Sequence, residues 1–76
     1  HRYVYAIALH DYGQPALAIK ELQALQRNAP ENADVLLALV NYLQEVGRND
    51  EGRRYAGKLR ELFPDNEDFQ RLYNNL

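Results

Sequence analysis

The chain has 76 residues, a formal net charge of −2 and no Cys, which makes it one small domain without the basic excess of a nucleic-acid-binding protein. Ser and Thr are also absent, so disulfides, thiolate metal clusters, covalent haem attachment and Ser, Thr or Cys nucleophiles are all excluded. No apolar segment approaches the roughly 20 residues that cross a bilayer. We therefore expect no catalytic residue, no metal or other cofactor, no nucleic-acid partner and no membrane insertion.

Residues 2–12 predict a first helix that is apolar on every face, from Tyr3 to Leu9. A helix without a polar face should be buried on all sides, and a chain of this length has too little protein to do that. We therefore expect this helix to contact a neighbouring structure or a second copy of the chain. Gly13 supplies the left-handed residue that ends it.

Residues 15–28 predict an amphipathic second helix. Pro15 suits its first position, where no amide donor is needed. Ala18, Leu22 and Leu25 recur at helical spacing on its inner face. Pro30 then breaks the helix, and Asn32 is a candidate N-cap for the next one.

Two further helices are predicted over residues 33–46 and from Asn49 to just before Pro64. Gly47 ends the third helix, and Asn49 is a candidate N-cap for the fourth. The apolar positions of these two helices are predicted to face inward: Leu36, Leu39, Val40, Leu43 and Val46 in the third, and Tyr55, Ala56, Leu59, Leu62 and Phe63 in the fourth.

Residues 66–75 predict a short fifth helix with one apolar and one polar face. Phe69, Leu72, Tyr73 and Leu76 share the apolar face, and the side chains on the other face are polar. A helix of this kind is what the end of a repeat stack requires, because its polar face can meet water.

Several residue types recur at one fixed spacing. Gly13 and Gly47 are 34 residues apart, and so are Pro30 and Pro64. Laying residues 1–34 over 35–68 gives six identities without a gap, where about two are expected from ordinary usage. A period of this size is typical of stacked helix–turn–helix repeats.

This pattern resembles the tetratricopeptide repeat (TPR) family. The family signature is a Gly between two helices, a small residue early in the second helix and a Pro after it. Here these are Gly13 and Gly47, Ala18 and Gly52, and Pro30 and Pro64. The resemblance implies an all-α, TPR-like α-solenoid fragment of two antiparallel helix pairs plus a C-terminal capping helix. Its units are 1–32, 33–65 and 66–76, within one folded domain.

Residues 3–19 and 36–52 also resemble TPR modules at the C-terminal end of some bacterial multihaem c-type cytochromes. That resemblance implies a periplasmic location, and a TPR module outside this setting would be cytoplasmic. Because the chain has no Cys, it cannot itself bind haem covalently.

The TPR resemblance also implies a concave groove lined by the first helix of each pair, which would bind a protein or peptide. The groove positions are Tyr3, Ile7, Leu37, Asn41, Gln44, Arg71 and Asn75. The alternative is that Tyr3, Ile7 and Leu37 are contacts with a neighbouring repeat. The Lys and Asn clamp by which some TPR domains hold an acidic C-terminus is incomplete here, because Tyr3 and Ile7 replace its first two residues.

Two other groups of side chains invite a chemical interpretation. The fourth helix carries a run of basic residues, but interleaved acids, including an expected Asp50–Arg54 ion pair, favour a solvated outer face. His10 and Asp11 are adjacent, so their side chains diverge by about 100° on a helix, and a surface His near a helix end is predicted rather than a general base.

The sequence therefore predicts a non-catalytic protein–protein interaction module, a fragment of a larger protein. The alternative is a structural cap that packs on a neighbouring domain and has no ligand of its own. A homodimer through the first helix is a further expectation.

Overall fold

A computed structural model describes residues 2–76, which form five α-helices and, within that range, no strand. The helices are α1 (Arg2–Asp11), α2 (Pro15–Asn28), α3 (Ala33–Glu45), α4 (Asn49–Leu62) and α5 (Glu67–Asn74). Consecutive helices pack on each other through short connections, so α1 with α2 and α3 with α4 form antiparallel pairs, and α5 packs on α4. The all-α repeat architecture predicted from the sequence is confirmed.

The turns inside the two helix pairs have the same backbone geometry. Gly13 has φ +80° and Gly47 has φ +79°, the left-handed conformation that L side chains avoid. The amide of Gln14 donates to the carbonyl of Leu9, and the amide of Arg48 to that of Leu43, each at 2.8 Å. The prediction that glycine closes α1 and α3 is confirmed.

The helices that follow the proline turns begin with an asparagine cap. The side-chain oxygen of Asn32 accepts a hydrogen bond from the Val35 amide at 3.2 Å. The equivalent oxygen of Asn66 accepts one from the Phe69 amide at 3.0 Å. Each bond satisfies an amide that the first turn of a helix leaves without a partner.

The prediction that Asn49 caps α4 is wrong. The residue before the helix is Arg48, with φ −97° and ψ 57°, and Asn49 already lies in the first turn. The turn at Gly47 makes α4 begin one residue earlier than expected. Asn49 is therefore the first residue of the helix, and its side chain is not in the position that caps the first turn. Arg48 instead forms a two-bond ion pair with Glu51, at 3.1 and 2.6 Å.

The core consists of two clusters that meet at α3. One cluster joins α1, α2 and α3, with Ile19, Leu22 and Leu39 among its fully buried side chains. The other joins α3, α4 and α5 around Leu36, Val40, Ala56 and Leu59. Because α3 has packed neighbours on two sides, its nearly all-apolar sequence is buried on most of its surface.

Side chains predicted on inner faces are exposed at several helix ends. Val46, Leu62 and Phe63 are exposed, so their predicted inward placement is wrong. Val46 and Phe63 are C-cap residues, where the chain leaves the helix and the periodicity no longer directs the side chain inward. Phe63 meets the edge of Phe69, with ring centroids 5.7 Å apart.

The small residues early in α2 and α4 lie where paired helices approach closely. Ala18 has no exposed surface. A Cβ atom on Gly52 would lie 3.5 Å from the Val40 carbonyl oxygen and 3.6 Å from the Leu43 Cβ, which is ordinary van der Waals contact. The helices of each pair are therefore spaced for a side chain no larger than alanine.

Candidate functional site

The seven predicted groove residues lie on the first helix of each pair and on α5. Tyr3 and Ile7 are one turn apart on α1, and Leu37, Asn41 and Gln44 form one stripe of α3. On α5, Arg71 lies one turn before Asn75, which is the C-cap residue of the helix. The helical spacing therefore gives each of the three helices its own stripe of candidates.

Most of these side chains are accessible. Tyr3 is 37% exposed and Leu37 36%, so part of each side chain is available for contact. Asn41, Gln44 and Asn75 are exposed polar side chains. Ile7 differs, because it is half-buried against the first core cluster and contributes to the fold as well.

Arg71 is not a free cation, contrary to the simplest interpretation of the sequence. Its guanidinium donates a hydrogen bond to the carboxylate of Asp68, one turn earlier on α5. Both side chains are largely exposed, so the pair contributes little to stability. A ligand carboxylate at this point would compete with Asp68 for the guanidinium.

A cluster of side chains around His10 joins α1 and α3. The ring of His10 stacks on the ring of Tyr42, with centroids 3.9 Å apart and planes 2° from parallel. His10 Nε2 lies 2.7 Å from the Glu45 carboxylate, and Nδ1 lies 3.4 Å from that of Asp11. The hydrogen bond to Glu45 is the main cause that raises the pKa of His10 above 6.5.

His10 lies in the last turn of α1, as predicted, but it is half-buried rather than on the surface. Besides Asp11 of its own helix, it contacts Tyr42 and Glu45 of the neighbouring helix pair. A signal was present in the sequence, since Tyr42 and Glu45 are three residues apart and share one face of α3. The packing of the two helix pairs determines which residue of α1 contacts this face of α3. Helical spacing alone does not predict that packing.

Tyr42 is the buried member of this junction. Burial is the main cause that raises its pKa above 10.0, and the nearby charges of Asp11 and Glu45 act in the same direction. The stack of His10 on Tyr42 brings α1 and α3 together at this point.

The basic residues lie on α4, on a different surface. Arg48 is paired with Glu51, and this hydrogen bond is the main cause that lowers the pKa of the Glu51 carboxyl below 4.5. The predicted Asp50–Arg54 ion pair does not form among the described residues. Asp50 and Arg54 are both exposed to solvent.

Among residues 2–76, no group of three or more His, Asp or Glu side chains is placed to hold a metal ion. Within the same range, no helix combines the length and apolar character needed to cross a membrane.

One of three comparisons with known proteins gives a match. A family model described as "Tetratricopeptide repeat" matches residues 3–76, which is nearly the whole chain. No curated protein matches the chain. No solved structure matches it either.

Proposed function

Because the chain belongs to the tetratricopeptide repeat family, we propose that it binds a protein or peptide along the exposed stripes of α1, α3 and α5. Tetratricopeptide repeats mediate protein–protein interactions and are generally non-catalytic. The repeats of this module are residues 1–32 and 33–65, followed by a capping segment over 66–76. The glycine turns and asparagine caps that recur 34 residues apart support this division.

The observation that carries the proposal is the exposure of Tyr3 and Leu37 beside polar side chains. Tyrosine is a favoured anchor at interfaces because it combines apolar area with a polar tip. Asn41 lies one turn from Leu37 and offers an amide that can both donate to and accept from a peptide backbone. These side chains form no hydrogen bond with other described residues, so a ligand would displace only water.

Peptides selected on the immobilised protein from a displayed random library would test the proposal. We expect the double substitution Tyr3→Ala with Asn41→Ala to abolish binding of the selected peptides and to leave the melting temperature nearly unchanged. The matched control is Tyr12→Ala with Asn28→Ala, because both residues are exposed and lie outside the stripes. Equal loss in the control, or unfolding of the first variant, would sink the proposal.

A second candidate function is a packing module that docks through α1 on a neighbouring domain or a second copy. It is favoured by Val4 and Tyr5, which are 65% and 55% exposed. Their equivalents one repeat later, Ala38 and Leu39, are 8% and 0% exposed. On α3, the helix α2 covers Ala38 and Leu39. On α1, no helix within residues 2–76 covers the equivalent residues Val4 and Tyr5 in the same way.

Sedimentation equilibrium separates the two candidates. A concentration-dependent dimer that Val4→Asp converts to a monomer would favour the packing module, with the homodimer through α1 as one form of it. A monomer throughout the micromolar range would favour the peptide-binding stripes.

A further inference from the structure

A separate surface on α4 carries cations that form no ion pair, although Glu51 lies near one of them, Arg54. Asp50, Arg53, Arg54, Gly57, Lys58 and Glu61 recur at the spacing of one helical stripe and line a groove of about 590 Å³ together with Tyr73 of α5. Arg53, Arg54 and Lys58 take part in none of the ion pairs of the described residues. Three adjacent cations therefore face solvent in the middle of this stripe.

Tyr73 fixes the orientation of the guanidinium groups. The Arg53 and Arg60 guanidinium carbons lie 4.2 and 4.0 Å from the centroid of its ring. The ring edge rests over Gly57, where an added Cβ would lie 3.4 Å from it. Stacking on a ring holds a guanidinium plane in place and leaves its N–H edge free to bind an oxyanion.

The acidic residues of the stripe limit what can bind. Asp50 and Glu61 lie at its two ends, about 16 Å apart along the helix, with the three cations between them. A duplex nucleic acid carries a negative charge about every 1.7 Å and would run its phosphates past both carboxylates. One or two carboxylates of a peptide would fit between them.

We propose that the Arg53–Arg54–Lys58 surface of α4, braced by Tyr73, binds a short acidic segment of a protein partner. The preorganised guanidinium of Arg53 takes a carboxylate with two N–H groups, and Arg54 and Lys58 supply the remaining attraction. This surface is distinct from the stripes of α1, α3 and α5, so the chain would offer two separate contacts.

The test uses a fluorescein-labelled peptide with two consecutive glutamates flanked by glycines. Its binding to the protein is measured by fluorescence anisotropy at low and at physiological salt concentration. We expect saturable binding that weakens about tenfold in Arg54→Gln with Lys58→Gln. The matched control is Lys20→Gln with Arg27→Gln, which removes the same charge from exposed positions on α2. It should bind as the parent protein does, and the glutamine analogue of the peptide should not bind.

Three results would overturn the proposal. These are no saturable binding of the glutamate peptide, equal weakening in the α2 control, and tighter binding of duplex DNA than of the peptide. Retained binding in Tyr3→Ala with Asn41→Ala would support it, because it separates this surface from the stripes.

Discussion

At the scale of single residues, His10 makes the most specific contact between the two helix pairs. It combines a parallel stack on Tyr42 with a 2.7 Å contact from Nε2 to Glu45. The imidazolium is favoured because Glu45 accepts its hydrogen bond, which is why the pKa of His10 is raised in the folded protein. The charge state of one side chain is therefore coupled to the packing of α1 against α3.

The stability of the protein should depend on pH through His10. Its folded-state pKa lies above the unfolded value of 6.5, so the stabilisation is complete below about pH 6.5 and is lost as the pH rises through the folded-state pKa. We expect the free energy of unfolding to fall between pH 6 and pH 8, measured by urea denaturation.

His10→Gln is the control for this pH dependence, since glutamine is the residue found at the equivalent position, Gln44. It should remove most of the slope, and Glu45→Gln should reduce it. The other histidine, His1, is common to all these proteins and cancels in the comparison. An unchanged slope in His10→Gln would rule out this coupling.

The size limit at Ala18 gives a second prediction at this scale. Ala18 is fully buried between α1 and α2, so Ala18→Leu should overpack the interface and cost about 1–3 kcal/mol. Ala16→Leu adds the same atoms at an exposed position of the same helix and should be nearly neutral. Equal melting temperatures for the two variants would contradict the packing of α1 on α2 described above.

At the scale of elements, α1 and α3 show what a hydrophobic pattern can and cannot predict. Both sequences are apolar on nearly every face, and both form helices, as expected. Only α3 is buried on most of its surface, because it has α2 on one side and α4 on the other, whereas among residues 2–76 α1 has neighbours on one side only. The hydrophobic pattern indicates which helix surfaces need to be buried. The position of the helix in the stack determines whether neighbouring helices bury them.

Gly47 lies in a turn and Gly52 lies in a helix. We therefore expect alanine at these two positions to change the free energy of unfolding in opposite directions. Gly47→Ala should destabilise the protein by about 1–2 kcal/mol, since it forces a Cβ into the left-handed conformation at φ +79°. Gly52→Ala should stabilise it by about 0.5–1 kcal/mol, because its Cβ fits at 3.5 Å and alanine favours a helix. Urea unfolding of both variants gives the two values.

Two outcomes would contradict these expected changes in stability. If Gly52→Ala destabilises the protein as much as Gly47→Ala does, α3 and α4 lie closer together than described. If Gly47→Ala is neutral, the turn does not need the left-handed conformation.

Local signals in the sequence predict which helices form better than they predict where each helix begins and ends. Asn32 and Pro15 mark helix starts correctly, because caps and first-turn prolines act within a few residues. Asn49 misleads because the turn at Gly47 sets where α4 begins. For the candidate site, the spacing predicts which helices carry the stripes, but it does not reveal the Arg71–Asp68 pair or the stack of His10 on Tyr42, which depend on side-chain rotamers and packing.

At the scale of the whole molecule, the fold is two helices thick. Its Cα atoms extend 33 × 25 × 16 Å, and the shortest dimension exceeds the roughly 4.6 Å Cα diameter of one helix by little more than the roughly 8–10 Å between packed helix axes. Two small clusters that share α3 hold it together, and α5 has no fully buried residue. A protein of this size offers a large surface relative to its volume, which suits contact with other proteins.

The most direct measurement is amide chemical-shift mapping by two-dimensional NMR, with a library-selected peptide titrated into the protein. We expect the largest shifts at the stripes of α1, α3 and α5, around Tyr3, Leu37, Asn41 and Asn75. Shifts confined to α2 and the connecting turns, with the amides of those stripes unmoved, would contradict binding along them.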